Sequence, residues 1–270
     1  MHSDMTPSID KQLVARRFSH SRSTYDREAY VQRQITEKMM RLLTDTLLAE
    51  GVSCSEIPIR FGHIVEFGCG TGAYSRLLLR TLQPETCLLN DLCQEMKEYI
   101  EELCDGHAVR FVSGDAEALE FPEETDLITS CSALQWFNHP STFFMRCRHT
   151  LTENGMLAFS TFGPTNMHEI RRLTGHGLDY LALEELKNRL SPGFDILHAE
   201  EEMVSLSFPT PLAVLQHLKQ TGVTGTEKRI WTRSRLHSFC EEYTILFGDT
   251  DGHVSLTYHP IYIIARKKTI

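Results

Sequence analysis

Residues 63–72 read His-Ile-Val-Glu-Phe-Gly-Cys-Gly-Thr-Gly, and this stretch narrows the choice of fold more than any other in the chain. Ile64, Val65 and Phe67 make a short apolar run of the kind a parallel sheet buries on both faces. Glu66 closes that run, and Gly68, Gly70 and Gly72 follow at every second position. Tyr74, Leu77, Leu78 and Leu82 then recur as one face of a helix. Strand, glycine turn and helix predict the first unit of a nucleotide-binding α/β fold, because glycines turn tightly and admit a ligand where a Cβ would stand. A plain glycine-rich turn is the reading that the motif alone leaves open.

The spacing bears on which nucleotide. Dinucleotide sites use G-x-G-x-x-G, whereas these glycines run G-x-G-x-G behind an acid. A carboxylate at the strand end repels a pyrophosphate and suits a cation. S-adenosylmethionine, with its sulfonium and ammonium groups, is a nucleoside of that sign. Two further acids follow at strand ends. Thr86–Asn90 read as a second strand ending in Asp91, where the hydroxyls of a ribose would lie and where a carboxylate can accept from both. Asp91 also suits a helix cap, since Leu92, Met96, Tyr99, Ile100 and Leu103 share a helical face. Val109–Val112 form a third strand ended by Gly114-Asp115-Ala116, with Asp115 placed to accept from an adenine amino group and the Ala116 N–H to donate to a ring nitrogen. Thr125–Cys131 form a fourth strand leading into Ser132 and Leu134-Gln135-Trp136-Phe137. Trp136 can pack beside a ligand or line the core. Candidate cofactor contacts are therefore Glu66, Gly68, Cys69, Gly70, Gly72, Asp91, Leu92, Asp115, Ala116, Ser132 and Trp136.

With Pro140 opening a helix and Met156–Phe162 as a fifth strand, five βα repeats predict a Rossmann-like doubly wound sheet in a single domain over residues 1–270. Residues 8–50 read as an N-terminal helical segment, 62–162 as the nucleotide-binding core, 163–200 as a helical lid insertion and 201–270 as the C-terminal part of the sheet. In that last part Met203–Phe208 alternate as a strand, Thr210 and Thr232 cap helices, and Val254–Ala265 read as a closing strand whose Pro260 suits an edge or a bulge.

Eight cysteines without a C-x-x-C pair fit reduced thiols in a cytoplasm, and thirteen histidines without ligand spacing predict no metal site. The polar start and the absence of a long apolar run predict neither a secretory signal nor a membrane span. Of the net charge of −9, residues 85–126 hold thirteen acids against two bases, which leaves the remainder at +2. Basic clusters lie at residues 11–33, where Phe18 and Tyr30 read as core anchors, and 219–235, and no long basic stripe interleaved with aromatics, as nucleic-acid binding calls for, runs along the chain.

Glu66-x-Gly68-x-Gly70-x-Gly72, Asp91, Gly114-Asp115-Ala116 and Leu134-Gln135-Trp136 together resemble the class I S-adenosylmethionine-dependent methyltransferases over residues 62–162. The Phe18…Tyr25 segment, Leu134–Phe137, His217-Leu-Lys219-x-Thr221-Gly222, Leu256-Thr-Tyr258-His259 and Phe162-Gly-Pro-Thr-Asn166 resemble, within that class, the malonyl-acyl-carrier-protein O-methyltransferases of biotin synthesis (BioC). The resemblance implies a sheet of order 3-2-1-4-5-7-6 with the last strand antiparallel. It implies S-adenosylmethionine as cofactor, S-adenosylhomocysteine as product and methylation of the free carboxylate of a malonyl thioester.

An ionised carboxylate, with a reference pKa of about 4, needs no general base at neutral pH. No catalytic acid or base is nominated. Tyr25, Lys219, Arg233, Tyr258 and His259 are the candidates to hold the substrate, with Tyr25 also near the cofactor and Lys219 or Arg233 near the acyl end. Each of them reads equally as an ordinary surface base or core side chain. The expected partner is an acidic acyl-carrier protein meeting the two basic clusters transiently, with neither nucleic acid nor membrane involved. The alternatives are a methyltransferase for another small carboxylic acid or a phenol, a catalytically silent cofactor-binding partner on the same fold, and a nicotinamide oxidoreductase.

Overall fold

The structure, a computed structural model, describes residues 8–28, 30–51, 59–104, 108–221 and 232–269, with the backbone alone for 20–28. Two helices come first, α1 (Lys11–Glu28) and α2 (Tyr30–Ala49). The core then alternates β1 (Ile59–Phe67), α3 (Ala73–Thr81), β2 (Leu82–Asp91), α4 (Lys97–Ile100), β3 (Val109–Ser113), β4 (Thr125–Cys131), α5 (Pro140–Thr150) and β5 (Leu151–Phe162). After it come α6 (His168–Thr174), α7 (Leu183–Leu190), β6 (Phe194–Glu201), β7 (Val204–Phe208), α8 (Pro211–Gln220), α9 (Arg233–Phe247), β8 (Val254–Tyr258) and β9 (Pro260–Lys267).

Seven strands form one sheet in the order β3-β2-β1-β4-β5-β9-β6. The first five pair in parallel, and β9 runs antiparallel to both β5 and β6. Counted within the sheet, this is the expected order, with the last strand reversed. The period-2 geometry of a strand sorts its side chains onto two faces. Ile64, Leu89, Leu127 and Ala158 join one apolar cluster together with α2 and with Tyr74 and Leu78 of α3. Val65, Leu88, Ile128 and Leu157 join the other, with Phe143, Phe144 and Cys147 of α5 and Leu186 and Leu190 of α7. Both faces are covered, which is why the strand runs are apolar throughout.

Four expectations are corrected. Residues 163–200 are not helical to their end: β6 begins at Phe194 and forms an edge of the sheet. Val254–Ala265 is two strands, and β8 leaves the main sheet to pair with β7 in a separate two-stranded sheet. Nor does Pro260 mark an edge. It opens β9, the first residue of a strand being a place where a missing N–H costs little, and β9 lies between β5 and β6. The helix expected after Asp91 is shorter too, its single α-turn α4 flanked by 3-10 turns at Gln94–Met96 and Glu101–Cys104. The two threonine caps stand as expected: Thr210 Oγ1 accepts from Ala213 N at 3.2 Å and Thr232 Oγ1 from Arg235 N at 3.3 Å.

Candidate active site

Parallel pairing brings the strand tips level: Phe67 faces Asn90, Asp91 faces Ser113 and Glu66 faces Thr129. The loops beyond them enclose a cavity of about 240 Å³. At Gly68 the backbone is left-handed (φ +67°), and a Cβ there would stand 2.4 Å from the Cβ of Ala133. At Gly70 (φ +54°) a Cβ would meet nothing within 4 Å, because this turn faces open space. The bare backbone there is what lets a ligand come close.

Asp91 organises that turn. Its Oδ2 accepts from Gly70 N and its Oδ1 from Cys93 N, both at 2.8 Å. Burial pushes its carboxyl upward, and the two N–H groups oppose that shift. Asn90 ties the third strand to the second, donating from Nδ2 to the carbonyls of Val112 and Gly114 at 3.0 Å each. Glu66 is buried, and its Oε2 has no hydrogen-bond partner. Burial pushes its carboxyl up to about 8, with the charge of Asp91 acting in the same direction. Ser132 holds a left-handed backbone (φ +59°), uncommon for a residue with a side chain, and its buried Oγ is also unpartnered.

Of the expected cofactor contacts, Glu66, Gly68, Cys69, Gly70, Asp91, Leu92, Asp115, Ala116, Ser132 and Trp136 all line this cavity. Gly72 does not; it caps α3, and a Cβ there would meet Ile100 at 2.5 Å. The side chain of Tyr25 lies outside the described residues. Asp115 differs from expectation in its company, since both of its oxygens already bond Lys11 Nζ, at 2.6 and 2.7 Å. Trp136 does both things the sequence left open: it lines the cavity and packs edge-on against Phe18 at 5.7 Å.

Helical residues that the sequence reading missed complete the wall, namely Lys11, Val14 and Phe18 from α1 and Gln32, Arg33 and Thr36 from α2. A signal existed for Thr36, a polar residue inside the apolar stripe of Val31, Ile35 and Met39. Gln32 Oε1 is buried without a partner. Three buried side-chain oxygens without a partner, on Gln32, Glu66 and Ser132, therefore belong to residues that line one small cavity. A buried acceptor is costly until a donor arrives, so this cavity fits a donor-rich cation.

A second cavity, of about 590 Å³, adjoins the first, and the two share Val14, Trp136 and Phe137. Its other walls include Leu13, Arg17, Phe162, Leu178, Leu181 and Arg189. Helix α1 divides the two spaces, with Lys11, Val14 and Phe18 toward one and Leu13, Val14 and Arg17 toward the other. Burial pushes the Arg17 guanidinium downward, and Asp10 opposes the shift. Lys219, Arg233, Tyr258 and His259 line neither cavity. Lys219 and Arg233 are exposed. The buried Tyr258 hydroxyl lies 2.8 Å from His217 Nε2. His259 Nδ1 accepts from Thr165 N at 3.2 Å, which leaves Nε2 to donate to Glu201 at 3.0 Å.

A sheet that admits one reversed strand beside β5 and opens a cation-ready pocket at its first crossover defines a class I S-adenosylmethionine-dependent methyltransferase, with S-adenosylmethionine as its cofactor. A family profile described as a methyltransferase domain matches residues 65–159. Solved structures agree on the fold. A putative methyltransferase from Bacillus halodurans C-125 aligns with a TM-score of 0.59 at 17% identity, covering 84% of this chain and 99% of its own. The YcgJ protein of Bacillus subtilis aligns with a TM-score of 0.56 at 17% identity, covering 83% and 97%. The sequence relatives are more specific. A malonyl-[acyl-carrier protein] O-methyltransferase of Bacteroides helcogenes is 64% identical, covering 96% of this chain and 100% of that protein. One from Haemophilus influenzae is 39% identical, covering 96% and 95%. The chain belongs to the malonyl-[acyl-carrier protein] O-methyltransferase family.

Proposed function

We propose that the protein methylates the free carboxylate of a malonyl group carried as a thioester by an acyl-carrier protein, in the cytoplasm, as the step that opens pimeloyl and biotin synthesis. The observation that carries this reading is the pair of cavities meeting at Val14, Trp136 and Phe137. One is prepared for a cationic nucleoside, and the other has largely apolar walls that carry two guanidinium groups, of Arg17 and Arg189, beside the carboxylates of Asp10 and Asp179, a lining in which an arginine can hold the anionic end of a short acyl chain.

The cofactor supplies a methyl group on a positively charged sulfur. The chain supplies place and surroundings. Glu66, Asp91 and the bare turn at Gly70 hold the nucleoside, while Asp115 and Ala116 lie where its base would reach. Val14, Trp136 and Phe137 exclude water where the two cavities meet, with Phe18 packed behind Trp136, which strengthens the attraction between a cation and a carboxylate. No proton has to be removed, so alignment supplies the acceleration, and positioning of this kind is worth several kcal/mol. Among the described residues, Arg17 and Arg189 are the cations lining the acceptor cavity. Arg17 lies one turn beyond Val14, the residue of α1 that both cavities share, and takes the carboxylate. Tyr25, seven residues beyond Phe18 on α1, remains the candidate for a neutral bond to it. Tyr258 and His259 then serve the substrate indirectly, by holding the segment after β5. Lys219 and Arg233 belong to carrier docking.

The test is methyl transfer to malonyl-carrier protein, malonyl-CoA and free malonate. Turnover should fall in that order. Equal turnover of free malonate or of unrelated carboxylic acids and phenols would move the assignment to a small-acid methyltransferase. Binding of cofactor with no transfer to any acceptor would leave a silent partner protein.

A further inference from the structure

The first turn of α1 makes a contact that neither the cofactor pocket nor the acceptor cavity requires. Lys11 Nζ lies 2.6 and 2.7 Å from the two oxygens of Asp115, also bonds Glu117 Oε2, and sits 5.2 Å from the centroid of the Phe137 ring. Its side chain is 16% exposed, that of Glu117 10% and that of Asp115 34%, so water screens the contact with Glu117 weakly and the one with Asp115 more. The Glu117 carboxylate also accepts from the backbone N–H groups of Asn138 at 2.8 Å and His139 at 2.5 Å. Asn138 in turn grips the chain just before the helix, accepting from Ile9 N at 2.7 Å and donating to Ile9 O at 3.3 Å. The loops after β3 and β4 thus converge on one end of α1.

That same helix covers the nucleoside cavity. Lys11, Val14 and Phe18 line it, Phe18 packs on Trp136, and Cys93 Sγ donates to Ala15 O at 3.3 Å. Among these ties the ionic ones are at the helix's first turn, and they hold Asp115, which lines the nucleoside cavity together with Lys11. We propose that Lys11 is a cofactor-positioning residue: its ion pair with Asp115 and Glu117 is the latch that holds α1 over the bound nucleoside and opens for each exchange. Without the lysine, Asp115 and Glu117 stand together as uncompensated acids, and the cover loses its strongest fastening. An ion pair that only decorated the surface would contribute nothing measurable to ligand retention.

The inference is independent of the acceptor's identity and is tested by the release of S-adenosylhomocysteine from the full-length protein at low and at high salt, with amide exchange of residues 8–19 followed in the ligand-free protein. In the parent, salt should accelerate release. Lys11→Met should release the ligand roughly fivefold faster or more at low salt, the factor equivalent to ~1 kcal/mol for one ion pair. It should lose the salt response, and residues 8–19 should exchange faster. Lys11→Arg, which keeps the charge, should restore most of the parent's retention. Release from Lys11→Met at the parent's rate overturns the latch. So does faster release that keeps the parent's salt response, because the fastening lost would then not be ionic.

Discussion

Glu66 shows how a single buried side chain can record the charge of a ligand. Its carboxyl is raised to about 8 from 4.5, so the folded, ligand-free protein holds a proton that the unfolded chain has already released. Its contribution to stability is greatest below pH 4.5, falls as pH rises from there to about 8, and is flat above. A bound sulfonium or ammonium favours the ionised form, so cofactor binding at neutral pH should expel that proton. Calorimetry of S-adenosylmethionine binding in buffers of different ionisation enthalpy should show a proton released by the parent and none by Glu66→Gln. The variant should also melt higher than the parent at pH 8 in the absence of ligand, while binding the cofactor about tenfold more weakly, as expected for one charge-assisted bond. Identical proton release from both proteins would show that the carboxylate does not answer the cation. Asp91 is of another kind, because its oxygens are already engaged with the N–H groups of Gly70 and Cys93. Asp91→Ala leaves two donors without acceptors, and should cost about 1–3 kcal/mol of stability along with the cofactor. Thermal melting and a binding titration check both; a variant that still binds the cofactor like the parent would remove the pocket from the argument.

At the scale of elements, what could be read from the chain was whatever is written locally. The glycine turn after β1, the doubly buried runs at Ile64–Phe67 and Leu127–Ser130, and the caps at Thr210 and Thr232 each carry their reason within a few residues. What could not be read depends on distant partners. The segment Phe194–Glu201 mixes apolar and charged residues because it is a half-buried edge, and its pairing with β9 closes a loop of some sixty residues. The break between β8 and β9 is set by Gly163 N donating to His259 O at 2.7 Å and His259 N to Asn166 Oδ1 at 3.2 Å, contacts that no periodicity records. The pocket shows the same division: its strand tips were legible, but the contact of Phe18 with Trp136 joins two positions with no local relation. The segment after β5 gives this a consequence. Asn166 also donates to the hydroxyl of Tyr180, and Tyr180 and Leu181 line the acceptor cavity, so His259 steadies that wall without touching it. His259→Leu strips Thr165 N of its acceptor and Glu201 of its donor, and should lower stability by about 1–3 kcal/mol. Its KM for the malonyl acceptor should rise while affinity for S-adenosylhomocysteine stays put. Melting curves, steady-state kinetics and a titration separate these effects, and weaker cofactor binding would place His259 in the wrong half of the molecule.

For the molecule as a whole, the question is where a bulky acidic partner can approach. Thirteen of its acids fall within residues 85–126, the stretch that supplies β2 and β3 at one edge of the sheet. An acidic carrier protein, the partner proposed above, would be repelled by that edge. Helices α1 and α8 pack together elsewhere, and Arg16 on the first and Lys219 on the second are both exposed. Lys228 and Arg229, which share the second basic cluster, lie outside the described residues. Because α1 also walls the acceptor cavity, a carrier that docks on its outer face stands next to the space its thioester must enter. Long-range attraction of this kind acts on the rate of encounter, and it fades once the Debye length drops to about 10 Å at 0.1 M salt. Reversing Arg16 and Lys219 to glutamate together should therefore lower kcat/KM for malonyl-carrier protein roughly tenfold at low salt, with the gap closing as salt rises. Turnover of a malonyl-pantetheine thioester, which brings no carrier to dock, should move by much less. If both acceptors slowed equally, or if salt left the gap unchanged, the two residues would be acting within the acyl site, and the carrier would have to meet some other face.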